Sequence, residues 1–406
     1  MPPRRILLAD ADAFFVAVAR MTDPEGAGRA KLLIVGGRPN SRGVVCSASY
    51  ETRAFGVRSA MPIAQALRLC PDAMCVPVPR GACSATSKAI AAVLTKFTPV
   101  VEGASIDEWY LDLTGTEALY NDEPLEVTAT RIRERVKRDT GIWLSFGGGT
   151  SKLIAKLAAE RAKPRPDVGG NGVRIITTGA EQEFLAGLTL AEIPGIGPKM
   201  QERLTKLGMT QVADVLPHER ATLARWLGRR PAEWLWGRVR GIHTSPVASR
   251  ASARQISREC TFDRDVRDTQ KLEPLLRQLG AKAAQELRSE RLGTRTVSVK
   301  LRDTDFTTRH ASRTLTDAIE SDRAIGDVAV TLLRKLKSTR GVAARLVGVA
   351  LGNLVPARDA EQLGLFAAPA AQVEKLEDRL VSKAVDKVRA RFGDASIITG
   401  DPRKQR

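Results

Sequence analysis

No run of apolar residues in this 406-residue chain reaches the roughly 18 that a membrane-spanning helix needs, so no membrane association is expected. The start, MPPRRILLADAD, carries charge but has no apolar h-region and no small-residue cleavage site, so no secretory leader is expected. The cysteines are Cys46, Cys70, Cys75, Cys83 and Cys260, an odd number with no C-x-x-C spacing. They argue against a disulfide framework and a zinc site, and they fit a reducing cytoplasm. Acid is also short: 46 Asp and Glu stand against 64 Lys and Arg, for a formal net charge of +18 and a pI of about 10.1. An excess this large favours a polyanionic partner, and nucleic acid is the simplest.

The basic charge is uneven. Residues 1–100 hold 13 Lys and Arg against 6 Asp and Glu, and residues 248–355 hold 21 against 13. Between them, residues 101–166 hold 10 against 11. Acid concentrated inside a basic chain points to a cation site beside a polyanion site, although a solvated acidic face has the same composition.

Hydrophobic periodicity gives the organisation. Arg4 to Asp10 reads as a buried strand and Phe14 to Met21 as a helix. Leu32 to Gly37 and Val44 to Ser49 read as strands, and Ser59 to Leu69 as a helix. A helix at Ser84 to Phe97 leads into Val100 to Leu113, two strands folded near Asp107. A helix at Leu125 to Arg138, a strand at Ile142 to Phe146 and a helix at Ser151 to Ala162 follow. Without residues 14–80 this is the split βαβ order. An all-helical block is expected over 167–235, then a basic connector. A second region repeats the split βαβ element order from Arg254 to Leu351, without the acids. In the tail, Val373, Leu376, Leu380, Ala384 and Val388 space like one helix face.

Three carboxylates stand out. Asp10 ends the first strand, and Asp107 and Glu108 sit together between two apolar strands. Carboxylates so placed cost stability unless something pairs with them. A divalent cation is a natural partner, because Mg²⁺ prefers carboxylates plus substrate phosphates. Two such ions can activate an attacking oxygen and stabilise a leaving one in phosphoryl transfer.

Five stretches carry a family likeness: DADAFFVAV at 10–18, SYETRAFGVRSAMP at 49–62, SIDEWYLDLTG at 105–115, AKLAAERAKP at 155–164 and IPGIGPKMQERLTKLG at 193–208. In order and spacing the chain resembles the Y-family translesion DNA polymerases, closest to their DNA polymerase IV group. The resemblance implies an α+β right-hand polymerase. Its palm is a split βαβ (ferredoxin-like) fold over 1–13 and 81–166, with small fingers over 14–80. A helical thumb with a helix-hairpin-helix spans 167–235, a basic linker 236–253, a βαββαβ little finger 254–355 and a tail 356–406.

The resemblance also implies roles. Asp10, Asp107 and Glu108 would be catalytic and would hold two Mg²⁺ ions, or Mn²⁺, with the carbonyl of Ala11 completing one site. Phe14, Phe15, Tyr50, Arg53 and Lys163 would bind the nucleotide, with Phe15 as the steric gate against a 2′-hydroxyl. Gly195, Gly197 and Lys199 would bind DNA, and Gln362, Leu365 and Phe366, within the peptide 362–366, would bind a sliding clamp. The partners are then primer-template DNA, deoxynucleoside triphosphates and the clamp, and the enzyme is expected to be a cytoplasmic monomer. The other readings are a non-catalytic scaffold for repair factors and a polymerase V-type subunit that needs a partner. Cys83 stands where the family often has tyrosine, Trp109 where a small residue is usual, and the junction at 165–172 is longer than the family's.

Overall fold

The computed structural model describes residues 3–39, 41–164, 170–248, 253–357, 373–393 and 396–397. The chain divides into two compact units, Met1–Ala251 and Ser252–Arg406.

Unit one begins with β1 (Ile6–Ala11) and α1 (Phe14–Thr22), joined through Ala13 in the left-handed region at φ 45°. The next five elements are β2 (Leu33–Gly36), β3 (Val45–Ala48), α2 (Tyr50–Ala54), α3 (Ile63–Leu69) and β4 (Met74–Pro77). Its three strands form a small sheet in the order β3-β2-β4. The strand at β4 is not apparent from periodicity, because its four residues are half-exposed. Helix α3 starts at Ile63 rather than at Ser59, since Ala60 is left-handed and Pro62 is extended.

Then come α4 (Arg80–Leu94), β5 (Val101–Gly103), β6 (Glu108–Asp112), α5 (Leu125–Thr140), β7 (Leu144–Gly149), α6 (Lys152–Ala162) and β8 (Val173–Ile175). The sheet order is β5-β6-β1-β7-β8. Its first four strands are the expected split βαβ arrangement. Strand β8, inside the stretch expected to be all-helical, pairs parallel with β7 and belongs to this sheet.

The two faces of the sheet carry different loads. Leu7, Ala9, Trp109, Leu111, Leu144 and Phe146 pack against α1, α4 and α5. Ile6, Leu8 and Tyr110 face α6. Asp10 and Glu108 alternate with the first set, so they lie on the α6 side.

Helix α6 sits almost in contact with the β7 backbone. A Cβ on Gly147 would lie 2.0 Å from the Ala159 nitrogen and 2.1 Å from the Ala155 carbonyl oxygen. Only glycine permits that approach.

Five helices complete the unit: α7 (Glu181–Ala186), α8 (Pro198–Thr205), α9 (Val212–Val215), α10 (Arg220–Leu227) and α11 (Arg229–Arg238). The core of this block is Leu185, Leu204, Val212, Leu223 and Leu235, with Trp234 and Trp236 packed against it.

Unit two comprises β9 (Gln255–Val266), α12 (Thr269–Ser289), β10 (Leu292–Asp303), β11 (Thr308–Ile319), α13 (Asp322–Thr339), β12 (Ala344–Pro356) and α14 (Leu376–Phe392). The expected element order is present, and each helix again joins two parallel strands with one antiparallel strand between them, but the strand order differs from that of unit one. The sheet runs β11-β10-β12-β9, so the first strand lies at an edge and pairs only with the last. Element order cannot specify this, since both pairings bury the same apolar alternation.

The tail helix α14 is present, but the face anticipated for it points to water: Leu376 and Leu380 are 56% and 58% exposed. A polar face docks instead. Arg288, nearly buried, makes two bonds to Asp386 (2.6 and 2.9 Å) and one to Asp322 (2.9 Å). Buried Glu374 accepts the N–H groups of Glu320 and Ser321 ahead of α13. The peptide 362–366, with Gln362, Leu365 and Phe366, lies outside the described residues. Among the described residues, no helix is long and apolar enough to cross a membrane.

Replacing Gly147 with Ala is expected to destabilise the protein by about 1–3 kcal/mol through overpacking of α6 on β7. Urea unfolding measures this, and an unchanged midpoint would mean that α6 is not seated as described.

Candidate active site

Register assembles the site. Strand β1 lies between β6 and β7, with Asp10 opposite Glu108 on one side and Ser145 on the other. The Ala11 N–H donates to the Asp107 carbonyl at 2.9 Å, so Asp107 joins the end of the same ladder. The Asp107 carboxylate accepts a short bond from Ser105 Oγ. The three predicted carboxylates are therefore neighbours on the backbone.

Each of the two on strands already has a cation. Lys163 Nζ lies 2.9 Å from Asp10 Oδ2 and 2.6 Å from Glu160 Oε1. Lys156 Nζ lies 2.6 Å from Glu108 Oε1. With the side chains drawn to lysines, no three Asp, Glu, His or Cys side chains among the described residues stand close enough to hold a metal ion.

Electrostatics single out Asp10. It is 7% exposed, and burial pushes its pKa up to about 7, against the opposing pull of Lys163. Burial works to lower the Lys163 ammonium, but Asp10 and Glu160 outweigh it and hold that pKa above its usual range. The two shifts belong to one pair: the lysine stays protonated, and the aspartate is the member that titrates near neutrality.

Asp12, two residues on, accepts from Ser145 Oγ at 2.7 Å, while its Oδ2 is buried without a partner. Burial raises its pKa as well. Asp10, held by a single lysine, and Asp12, with one oxygen unpartnered, offer hard carboxylate oxygens whose charge is only partly met. That environment fits a hard divalent cation.

Of the predicted nucleotide residues, Lys163 touches Asp10 and Tyr50 feels both acids. Tyr50 and Arg53 lie on α2, where the Arg53 guanidinium is 4.9 Å from the Tyr50 ring centroid and its Nε donates to the Ala48 carbonyl at 2.9 Å. Burial raises the Tyr50 hydroxyl pKa, and Asp12 adds to the rise while Arg53 and Lys163 oppose it. That pattern places Tyr50 among both acids and both cations. The Phe14 ring, 2% exposed, belongs to the core, so only its backbone is available to a ligand. Phe15 is half-buried and meets Phe14 edge-on, with centroids 5.6 Å apart.

Two of the three departures from the family pattern fall on the other side of the sheet. Trp109 and Cys83 are buried in the core under α4 and α5, away from Asp10 and Glu108. Part of the longer junction, 165–169, lies outside the described residues.

In the helical block, Gly195 has φ 103°, and a Cβ there would lie 2.6 Å from the Trp234 ring. Gly197 caps α8, and a Cβ on it would meet nothing within 4 Å. Lys199, in the first turn of α8, is exposed. The backbone at the start of α8 is thus uncovered and followed by a lysine, an arrangement suited to a phosphate.

Four residues escaped the reading from sequence: Asp12, Ser145, Lys152 and Lys156. The lysines had a signal, because positions 152, 156 and 163 share one face of a helix.

Residues 9–160 match the impB/mucB/samB family, residues 253–365 the impB/mucB/samB family C-terminal domain, and residues 178–209 the IMS family HHH motif. The DNA polymerase IV of Dehalococcoides mccartyi is 36% identical over 400 residues, covering 98% of both chains. That of Caulobacter vibrioides is 34% identical, covering 98% of this chain and 94% of its own. Among solved structures, a Y-family DNA polymerase chimera of Dbh and Dpo4 aligns with a TM-score of 0.77 at 27% identity, covering 87% of this chain and 99% of its own. An insertion ternary complex of Dbh DNA polymerase aligns at 0.61 and 28% identity, with the same coverage. With full-length identity above one third, matching domains in the same order and acids in facing register, the chain belongs to the impB/mucB/samB family, in the DNA polymerase IV group of Y-family polymerases.

Proposed function

We propose that this protein extends primers on damaged templates by nucleotidyl transfer with two divalent ions, as a monomer in the cytoplasm. The observation that carries the reading is the register of Asp10 opposite Glu108, with Asp107 at the end of the same ladder. Asp10, Asp107, Glu108 and the Ala11 carbonyl would hold the ions. When bound, Mg²⁺ or Mn²⁺ would activate the primer hydroxyl and stabilise the leaving pyrophosphate oxygen.

The chain's own residues do the rest. Arg53, its plane fixed by the bond to Ala48, donates to the triphosphate. Lys163 adds an ammonium from the end of α6, and the Tyr50 hydroxyl donates to the same phosphates. The Phe15 ring lies under the sugar and excludes a 2′-hydroxyl. Backbone N–H groups at Gly195 and Gly197, with Lys199, hold a DNA phosphate without regard to sequence. The small fingers grip the nascent base pair loosely, which lowers fidelity and admits damaged templates. Gln362, Leu365 and Phe366 plug into the sliding clamp, where two apolar side chains contribute about 1.5–3 kcal/mol each before ordering costs.

Asp107→Ala is expected to abolish primer extension by the purified chain while leaving DNA binding within about twofold. Normal turnover in that variant would remove the two-ion assignment. The same reading fixes a pH dependence. The raised pKa of Asp10 makes stability without divalent cation fall as pH rises from 3.8 through about 7. A divalent cation needs the ionised carboxylate, so Mg²⁺ should raise Tm more at pH 8 than at pH 6. Asp10→Asn should cancel that difference.

Phe15→Ala should admit ribonucleotides that the parent rejects, measured as the ratio of kcat/KM for matched deoxy and ribo substrates. An unchanged ratio would place the gate elsewhere.

Replacing Leu365 and Phe366 together with Ala should leave distributive synthesis on a bare primer intact and remove stimulation by the clamp. Equal stimulation of variant and parent would mean that the clamp contact lies elsewhere.

A further inference from the structure

Helix α6 carries a row of lysines over the acidic face of the sheet. Lys152 Nζ lies 2.6 Å from Glu102 and 4.6 Å from the Tyr110 ring centroid. Lys156 lies 2.6 Å from Glu108, and Lys163 2.9 Å from Asp10. The first pair is a structural strut, since the other oxygen of Glu102 accepts the Ala248 N–H at 3.0 Å. Lys163 is already accounted for by the triphosphate. Lys156 is not: its ammonium meets one of the carboxylates assigned to a cation.

A carboxylate with an ammonium at contact distance has much of its charge compensated. A divalent cation approaching it must push that ammonium aside or tolerate it nearby, and either weakens the hold. Strand alternation puts Glu108 on the α6 side of the sheet, and this contact fixes where its carboxylate lies there. We propose that Lys156 is a positioning residue: it holds Glu108 in the free enzyme and weakens that carboxylate's affinity for a divalent cation, so that the cation loads fully only when phosphate oxygens add their own negative charge. The inference rests on Glu108 being a metal ligand.

The test is Mn²⁺ binding to the full-length protein without DNA or nucleotide, read from the electron paramagnetic resonance signal of free Mn²⁺. Lys156→Met, which keeps the length and removes the charge, should bind Mn²⁺ roughly two- to fivefold more tightly than the parent, the worth of one partly exposed ion pair. Lys156→Arg should restore the parent value. Glu108→Gln added to Lys156→Met should abolish the gain. General damage to the fold would weaken binding rather than tighten it, and thermal melts check each variant. Lys156→Gln serves if the methionine variant does not fold. Unchanged affinity in the charge-removed variant, or a gain that survives Glu108→Gln, overturns the proposal. A parallel titration with nucleotide present separates the two ideas. If Asp107→Asn and Glu108→Gln leave Mn²⁺ binding intact there, the metal reading has failed and this inference falls with it. If they weaken it and Lys156→Met still matches the parent, only the role of Lys156 is lost.

Discussion

The site depends on how closely one helix can approach one strand. At Gly147 the backbones of α6 and β7 nearly touch, and even a methyl group would collide with Ala155 and Ala159. A helix held about one side chain further out would lift Lys156 and Lys163 away from Glu108 and Asp10. Short polar contacts between a helix and a sheet need that clearance removed. Here it is removed by a missing side chain, with alanines at 155, 158 and 159 on the facing side of the helix.

That proximity makes the buried acids tolerable. Asp10 is nearly inaccessible on a strand packed on both faces, and a lone carboxylate there would be costly. Lys163 offsets part of the cost, but burial still dominates and holds the carboxyl above the usual carboxylate range. The near-neutral balance of residues 101–166 within a chain of +18 therefore has a local origin. The sheet supplies Glu102, Glu108 and Asp112, which meet Lys152 and Lys156 of α6 and Arg4 ahead of β1.

Much of this was legible in the sequence because its signals are long or repeated. The buried run at Ile6 to Ala11, the apolar strand after Glu108 and the periodic helices at 125–140 and 322–339 leave little choice of structure. Short segments were less visible. Strands β4 and β8 have four and three residues, too few for alternation to separate from noise. The pairing of β9 with β12 was hidden for another reason, since strand order is decided by which edges meet, not by any one segment's pattern. The docked side of α14 was not legible, because hydrophobic spacing marks a stripe, whereas Arg288, Asp386 and Glu374 decide which side docks. At the site, the acids and their family partners could be found by motif. Lys156 and Ser145 were passed over because their meaning depends on a register that only the folded sheet supplies.

Because Lys152, Lys156 and Lys163 ride on one helix and the residue that caps it, the three contacts are not independent. Three separate loops could adjust each cation alone. A rigid rod has essentially one axial slide and one roll, and either motion lengthens or shortens all three gaps together. The acidic face is therefore neutralised as a unit, with few mechanical degrees of freedom.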